Sequence, residues 1–256
     1  MNADVPITTT NTVDTERVDY IKKIKMETNF YNVFRNTIRI LLNDYNNVDV
    51  RERIENEISK VAAVSDFLHL DIMDNKFVPN FTFAFERAVE IIKISKLPVD
   101  AHLMIENPDL IAPRYAHAGC ASVTFHYEAA KSVGQTINDI RSNGAKVGIA
   151  IKPGTDFSKV EDFIADIDML VVMTVEPGFG GQTFMSQQMP KVKQAREWIN
   201  SLNGAKPILQ VDGGISEITI EEAAESGANC FVAGSAVYKS VNPVATIEKL
   251  RELAKA

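Results

Sequence analysis

The sequence predicts an α/β protein: a closed (β/α)8 barrel, the TIM-barrel architecture, preceded by an N-terminal extension. Three observations lead there. Apolar, strand-like runs recur eight times from Thr37 onward. Segments with helical periodicity lie between many of them. Many runs are apolar at consecutive positions, as parallel strands covered by helices must be. An open doubly wound sheet is the competing arrangement. The count of eight, and the absence of Gly-x-Gly-x-x-Gly after the first run, favour the closed barrel.

Taken in order, residues 1–36 stand apart. Thr8-Thr9-Thr10-Asn11-Thr12 is polar, and a charged stretch follows over 16–25. This part reads as an extension, partly disordered or helical, with the barrel occupying 37–256. Strand-like runs fall at 38–42, 67–72, 99–104, 122–126, 146–151, 169–174, 208–212 and 230–233. Helix-period segments fall at 48–64, 85–94, 135–142, 187–202, 218–226 and 243–253.

Composition narrows the function classes. At 45% hydrophobic residues, the 256-residue chain can bury a large core. A formal net charge of −7 argues against general affinity for nucleic acid. The apolar runs are too short to span a membrane, and the start does not resemble a secretion signal. The two cysteines, Cys120 and Cys230, sit in apolar contexts and read as buried residues, not a disulfide framework. A cytoplasmic protein without membrane or nucleic-acid partners is expected, and self-association into a homo-oligomer is expected for a barrel of this kind.

In such barrels the chemistry sits at the C-terminal strand ends. His69, Asp71, His102, His126, Thr174 and Asp212 all fall at or near those ends. His69 and Asp71 are two residues apart, so strand alternation sends both to one face. His102 ends the adjacent strand. Two imidazoles and two carboxylates make a four-ligand site for a divalent metal. The same carboxylates, Asp71 and Asp212, would also serve as acid and base on opposite faces of one carbon. His126 is either a core residue or part of the cavity wall, and His117, in a helical stretch, is structural or solvated. Met73, Met104 and Met173 are either core filler or an apolar lining that excludes water.

Glycines cluster after three neighbouring strands: Gly178, Gly180 and Gly181 around Phe179, then Gly213 and Gly214, then Gly234 before Ser235. They serve either tight turns or a phosphate cradle built from backbone N–H groups. The loops after strands seven and eight are a common phosphate site in this architecture.

Several motifs carry a family resemblance. His69-Leu70-Asp71-Ile72-Met73-Asp74, Phe77-Val78-Pro79-Asn80, His102-Leu103-Met104, the stretch from Met173-Thr174-Val175-Glu176-Pro177 through Gly181-Gln182, and Val211-Asp212-Gly213-Gly214-Ile215 closely resemble ribulose-phosphate 3-epimerases. The resemblance covers about residues 37–255. It implies a phosphate-binding (β/α)8 barrel that inverts C3 of a ketose phosphate, D-ribulose 5-phosphate to D-xylulose 5-phosphate. The implied route is two-aspartate proton transfer through a metal-stabilised cis-enediolate. It implies His69, Asp71, His102 and Asp212 as ligands of one divalent ion (zinc, iron, manganese or cobalt, with zinc favoured), and Asp71 and Asp212 as the proton-transfer pair. The implied substrate and phosphate contacts are His102, Gly178, Phe179, Gly180, Gly181, Gly213, Gly214, Gly234 and Ser235.

The chain departs from the family at a few positions. Arg39 stands where the family has a substrate-contacting serine, Asn75 where it has glycine, and Lys152 where it has asparagine. Arg39 and Lys152 would add positive charge near the cavity and are candidates for substrate selection. A 3-epimerase of another ketose phosphate, such as D-allulose 6-phosphate or a longer sugar, is therefore an alternative. A non-catalytic sugar-phosphate-binding barrel is another. A sugar-phosphate decarboxylase on a similar barrel is a third, but its Asp-x-Lys-x-x-Asp motif is not met here, because Met73 occupies the lysine position.

Overall fold

A computed structural model describes residues 29–33 and 48–255. Eight parallel strands form a closed barrel in sequence order: β1 (Asn29–Val33), β2 (Phe67–Met73), β3 (Val99–Met104), β4 (Ser122–His126), β5 (Lys146–Ile151), β6 (Met169–Met173), β7 (Ile208–Asp212) and β8 (Cys230–Ala233). β1 pairs with both β2 and β8, which closes the ring.

The expected first strand over 38–42, with Arg39, lies outside the described residues. The strand that fills this place in the ring is Asn-Phe-Tyr-Asn-Val, from the stretch that sequence patterning assigned to the extension. Its aromatic and β-branched residues favour a pleated conformation. The other seven strands match the expected runs to within a residue.

The helices are α1 (Val48–Val61), α2 (Phe85–Ile94), α3 (Ala112–His117), α4 (Val133–Ser142), α5 (Met189–Ser201), α6 (Ile220–Glu225), α7 (Ser235–Tyr238) and α8 (Pro243–Leu253). Their buried faces follow helical spacing. Ala88, Ile91 and Ile92 of α2 are buried, as are Met189, Val192, Ala195 and Ile199 of α5. α8 starts cleanly because Pro243 follows Asn242, whose side chain accepts from the Ala245 N–H at 3.2 Å. Between β5 and β6 the described chain makes only 3-10 turns, Phe157–Lys159 and Glu161–Asp166. Phe157, Val160 and Ile164 cover the barrel there instead of an α-helix.

Strand alternation splits the core into two layers. On β2, Leu68, Leu70 and Ile72 face the helices, as do Val99, Ala101 and Leu103 of β3. A second cluster fills the barrel interior: Phe67, Ala150, Met169, Val171, Met173, Val175, Cys230 and Val232. Each strand from β2 to β4 is buried along its whole length, so any polar residue on its inner face must find its partners inside the barrel.

Candidate metal centre

The register of β2 against β3 pairs His69 with Asp100, Asp71 with His102 and Met73 with Met104. All six positions therefore lie on the inner face, with Met73 and Met104 ending the two strands and Asp71 and His102 two residues before those ends. β7 ends at Asp212, paired with Met173 of β6. His69, Asp71, His102 and Asp212 converge: one ligand atom from each lies within 4.8 Å of the others, and all four residues are buried. His102 Nδ1 is 3.1 Å from Asp71 Oδ1 and 3.5 Å from Asp212 Oδ2. His69 Nε2 is 3.3 Å from His102 Nδ1 and 3.5 Å from Asp71 Oδ1.

The electrostatics fit a cation. Burial alone would lower the basicity of His69, but its hydrogen bonds to Asp100 and Asp71 outweigh that and push its pKa up to about 10. His102 is also raised against the effect of burial, by Asp212 and Asp71. The cluster thus calls for positive charge at its centre. Two imidazole nitrogens and two carboxylate oxygens suit a divalent ion.

Sequence reasoning missed Asp100. Its Oδ2 lies 2.7 Å from His69 Nδ1, and its Oδ1 accepts from Ser122 Oγ at 2.6 Å. Asp100 thereby accepts a hydrogen bond from the Nδ1–H of His69 and leaves Nε2 to face the cluster. The signal was present: Asp100 lies two residues before His102, on the same face of a strand that is otherwise apolar.

The other histidines separate. His117 is exposed on α3. His126 is fully buried, with Nε2 3.0 Å from His102 Nε2 and Nδ1 3.3 Å from Glu128 Oε2. Met73 and Met104 pack with Val78 at the mouth of the barrel, while Met173 belongs to the interior cluster.

The glycine loops gather around the same end. Gly213 and Gly214 follow Asp212 directly, with φ of 127° and 69°. A Cβ on Gly213 would lie 2.5 Å from Val175 Cγ2, and one on Gly214 would lie 2.6 Å from the Phe184 backbone. Only glycine fits this turn. It is braced by Thr174 Oγ1 donating to the Gly213 carbonyl at 2.6 Å. The loop containing Gly178, Phe179, Gly180 and Gly181 follows β6, and Gln182 folds it by donating to the carbonyls of Glu176 and Phe179. Asn80 Nδ2 donates to the Gly178 carbonyl at 2.7 Å, joining the loops after β2 and β6. Gly234 immediately precedes α7, whose first residue is Ser235. Asn75 adopts φ of 58°, a conformation asparagine tolerates better than most residues. The Lys152 ammonium rests 3.8 Å over the Phe77 ring. Arg39 lies outside the described residues.

The model of the ribulose-phosphate 3 epimerase family matches residues 48–238. The chain belongs to this family. Ribulose-phosphate 3-epimerase of Mycobacterium leprae is 46% identical over 205 residues, 80% of this chain and 90% of that protein. The Escherichia coli K12 protein of the same name is 38% identical over 78% of this chain and 90% of its own length. The Bacillus subtilis protein is 37% identical over 77% and 91%. As a member of the ribulose-phosphate 3-epimerase family the protein is an isomerase of the epimerase type. Among solved structures, KGPDC from Streptococcus mutans superposes with a TM-score of 0.60 at 12% identity, covering 90% of this chain and 98% of that one. A 3-hexulose-6-phosphate synthase superposes at 0.59 with 20% identity, covering 78% and 93%. These two show the shared barrel. Among the described residues, no helix is long and apolar enough to cross a membrane.

Proposed function

We propose that the protein interconverts D-ribulose 5-phosphate and D-xylulose 5-phosphate by inverting C3, with Asp71 and Asp212 as the two proton-transfer groups. One observation carries the reading. The carboxylates come from strands well apart in the ring, yet Asp71 Oδ1 and Asp212 Oδ2 lie 3.1 and 3.5 Å from the same atom, His102 Nδ1. Two acids on separate walls of one buried site suit proton removal from one face of a carbon and delivery to the other.

His69, Asp71, His102 and Asp212 would hold a divalent ion, zinc by our reading of the two-nitrogen, two-oxygen donor set. When bound, it would act as a Lewis acid toward negative charge developing on the substrate oxygens. Asp71 then takes the C3 proton in one direction of reaction and Asp212 takes it in the other. His69 and His102 keep the two carboxylates apart and oriented. Met73, Met104 and Met173 keep water from the reacting carbon. Gly178, Phe179, Gly180, Gly181, Gly213, Gly214, Gly234 and Ser235 bind the phosphate end, which fixes C3 between the acids. Gly213 supports this assignment because its turn, which has no room for a side chain, continues directly from Asp212. Lys152, whose ammonium rests over Phe77, stays a candidate for substrate selection beside Arg39. We place the enzyme in the cytoplasm, which its two buried cysteine thiols support. Self-association belongs to the same reading, and light scattering tests it.

The deciding experiment is NMR of purified protein in deuterium oxide with a panel of ketose phosphates, alongside metal analysis. Deuterium should enter at C3 of ribulose 5-phosphate, with xylulose 5-phosphate as product. Exchange into allulose 6-phosphate alone, or no exchange with any sugar, would sink the assignment.

A further inference from the structure

The two histidines of the cluster are oriented in different ways. His69 is held in one step, by the carboxylate of Asp100 on its Nδ1. His102 faces the cluster with Nδ1, and its Nε2 meets an imidazole nitrogen, His126 Nε2, at 3.0 Å. A carboxylate comes only after that: His126 Nδ1 lies 3.3 Å from Glu128 Oε2.

Only one placement of protons on neutral rings satisfies this chain with His102 as a ligand. His102 Nδ1 must present a lone pair, so its proton is on Nε2. His126 Nε2 must then accept, so the His126 proton is on Nδ1. Glu128 must accept that proton's hydrogen bond, and as a carboxylate it can only accept. Glu128 is itself fixed. Its Oε1 accepts from the Lys152 N–H at 2.7 Å and from Thr155 Oγ1 at 2.5 Å. Lys191 of α5 pins the same loop, donating to the carbonyls of Lys152 and Pro153 at 3.2 and 2.8 Å. Burial would raise the Glu128 pKa, but His126 and the donors from Thr155 and Lys152 prevail and bring it down to about 2, so it stays ionised.

We infer that His126 and Glu128 are positioning residues that hold His102 in the one tautomer able to ligate a metal through Nδ1, and that they anchor this choice in the loop 152–155 after β5. The inference rests on the metal reading proposed above. Neither residue belongs to the four-residue cluster. They act through His102, as outer partners of metal-bound histidines do.

The test compares wild-type protein with His126→Phe and His126→Gln. Phenylalanine keeps a ring but offers His102 no acceptor. Glutamine restores an acceptor through its amide oxygen. With Zn2+ as the probe and a chromophoric chelator as competitor, His126→Phe should bind 10- to 100-fold more weakly, the usual loss for such partners. His126→Gln should recover at least part of that loss. Long-range 1H–15N NMR of the Zn2+-loaded wild type should place the His126 proton on Nδ1. A folded His126→Phe with affinity within twofold of wild type would overturn the inference and leave the metal reading intact, as would an NMR spectrum with the proton on Nε2. If His126→Phe does not fold, the NMR result decides alone. Wild-type protein that takes up no Zn2+ would remove the metal reading and this inference together.

Discussion

The interior of the barrel has two unlike walls. From β2 to β4 the inner face carries His69, Asp71, Asp100, His102, Ser122, Thr124 and His126, with Phe67, Met73 and Met104 at the strand ends, all buried. From β5 round to β8 it carries Ala150, Met169, Val171, Met173, Cys230 and Val232, interrupted by Gln210 and Asp212. Both walls are equally shielded from water, so the difference is not one of exposure. The polar wall survives burial because most of its groups answer one another: Ser122 to Asp100, Asp100 to His69, His102 to His126, His126 to Glu128. The apolar wall supplies packing. Asp212 is the one carboxylate on that wall, and it joins the polar wall at His102. Activity should therefore depend on the first wall together with Asp212, and stability mainly on the second.

The strongest challenge to this division is removal of either carboxylate. Asp71→Asn or Asp212→Asn should lower turnover by about 10²–10⁴-fold, the usual contribution of a positioned acid or base, with the fold retained by circular dichroism. Near-normal turnover in either variant would erase the distinction between the walls. Met169→Ala, at the start of β6 and away from the cluster, is the reverse case. It should cost about 2–5 kcal/mol in chemical denaturation while the folded fraction keeps its turnover. Gly214→Ala sits where the walls meet the loops. A side chain there has both an unfavourable φ and a backbone clash, so a loss on the order of 1–3 kcal/mol is expected, accompanied by a raised KM for the sugar phosphate. Glu128 gives the smallest effect. Its folded pKa is depressed from the ordinary 4.5 to about 2, so its stabilisation is full above pH 4.5 and is lost as pH falls through about 2. Urea denaturation at pH 7 and pH 3 should show Glu128→Gln losing less stability on acidification than wild type, by about 1–2 kcal/mol. An identical acid response would show that Glu128 is not held ionised.

Much of this was legible in the sequence. The four cluster residues could be found because alternation and strand ends are readable from local pattern: His69 with Asp71, then His102, then Asp212. Seven of the eight strands were legible for the same reason. The place taken by β1 was not: Asn29–Val33 has asparagine at two of its five positions and makes no apolar run, while the expected run at 38–42 lies outside the described residues. Asp100 was passed over because a carboxylate deep within a strand has meaning only once its partner across the ladder is known. The same holds for Lys152. Its charge suggests a role toward substrate, and its contact with the Phe77 ring, from a loop far away in sequence, could be seen only in space.

β2 and β6 stand four places apart in a ring of eight, on opposite sides. The hydrogen bond from Asn80 to the Gly178 carbonyl therefore crosses the open end of the barrel like a latch across a doorway. A single neutral hydrogen bond contributes about 1 kcal/mol, so it adds to the joining of the two loops without fixing them alone. Two loops that lie about one hundred positions apart in the sequence are thereby tied to one another above the buried cluster.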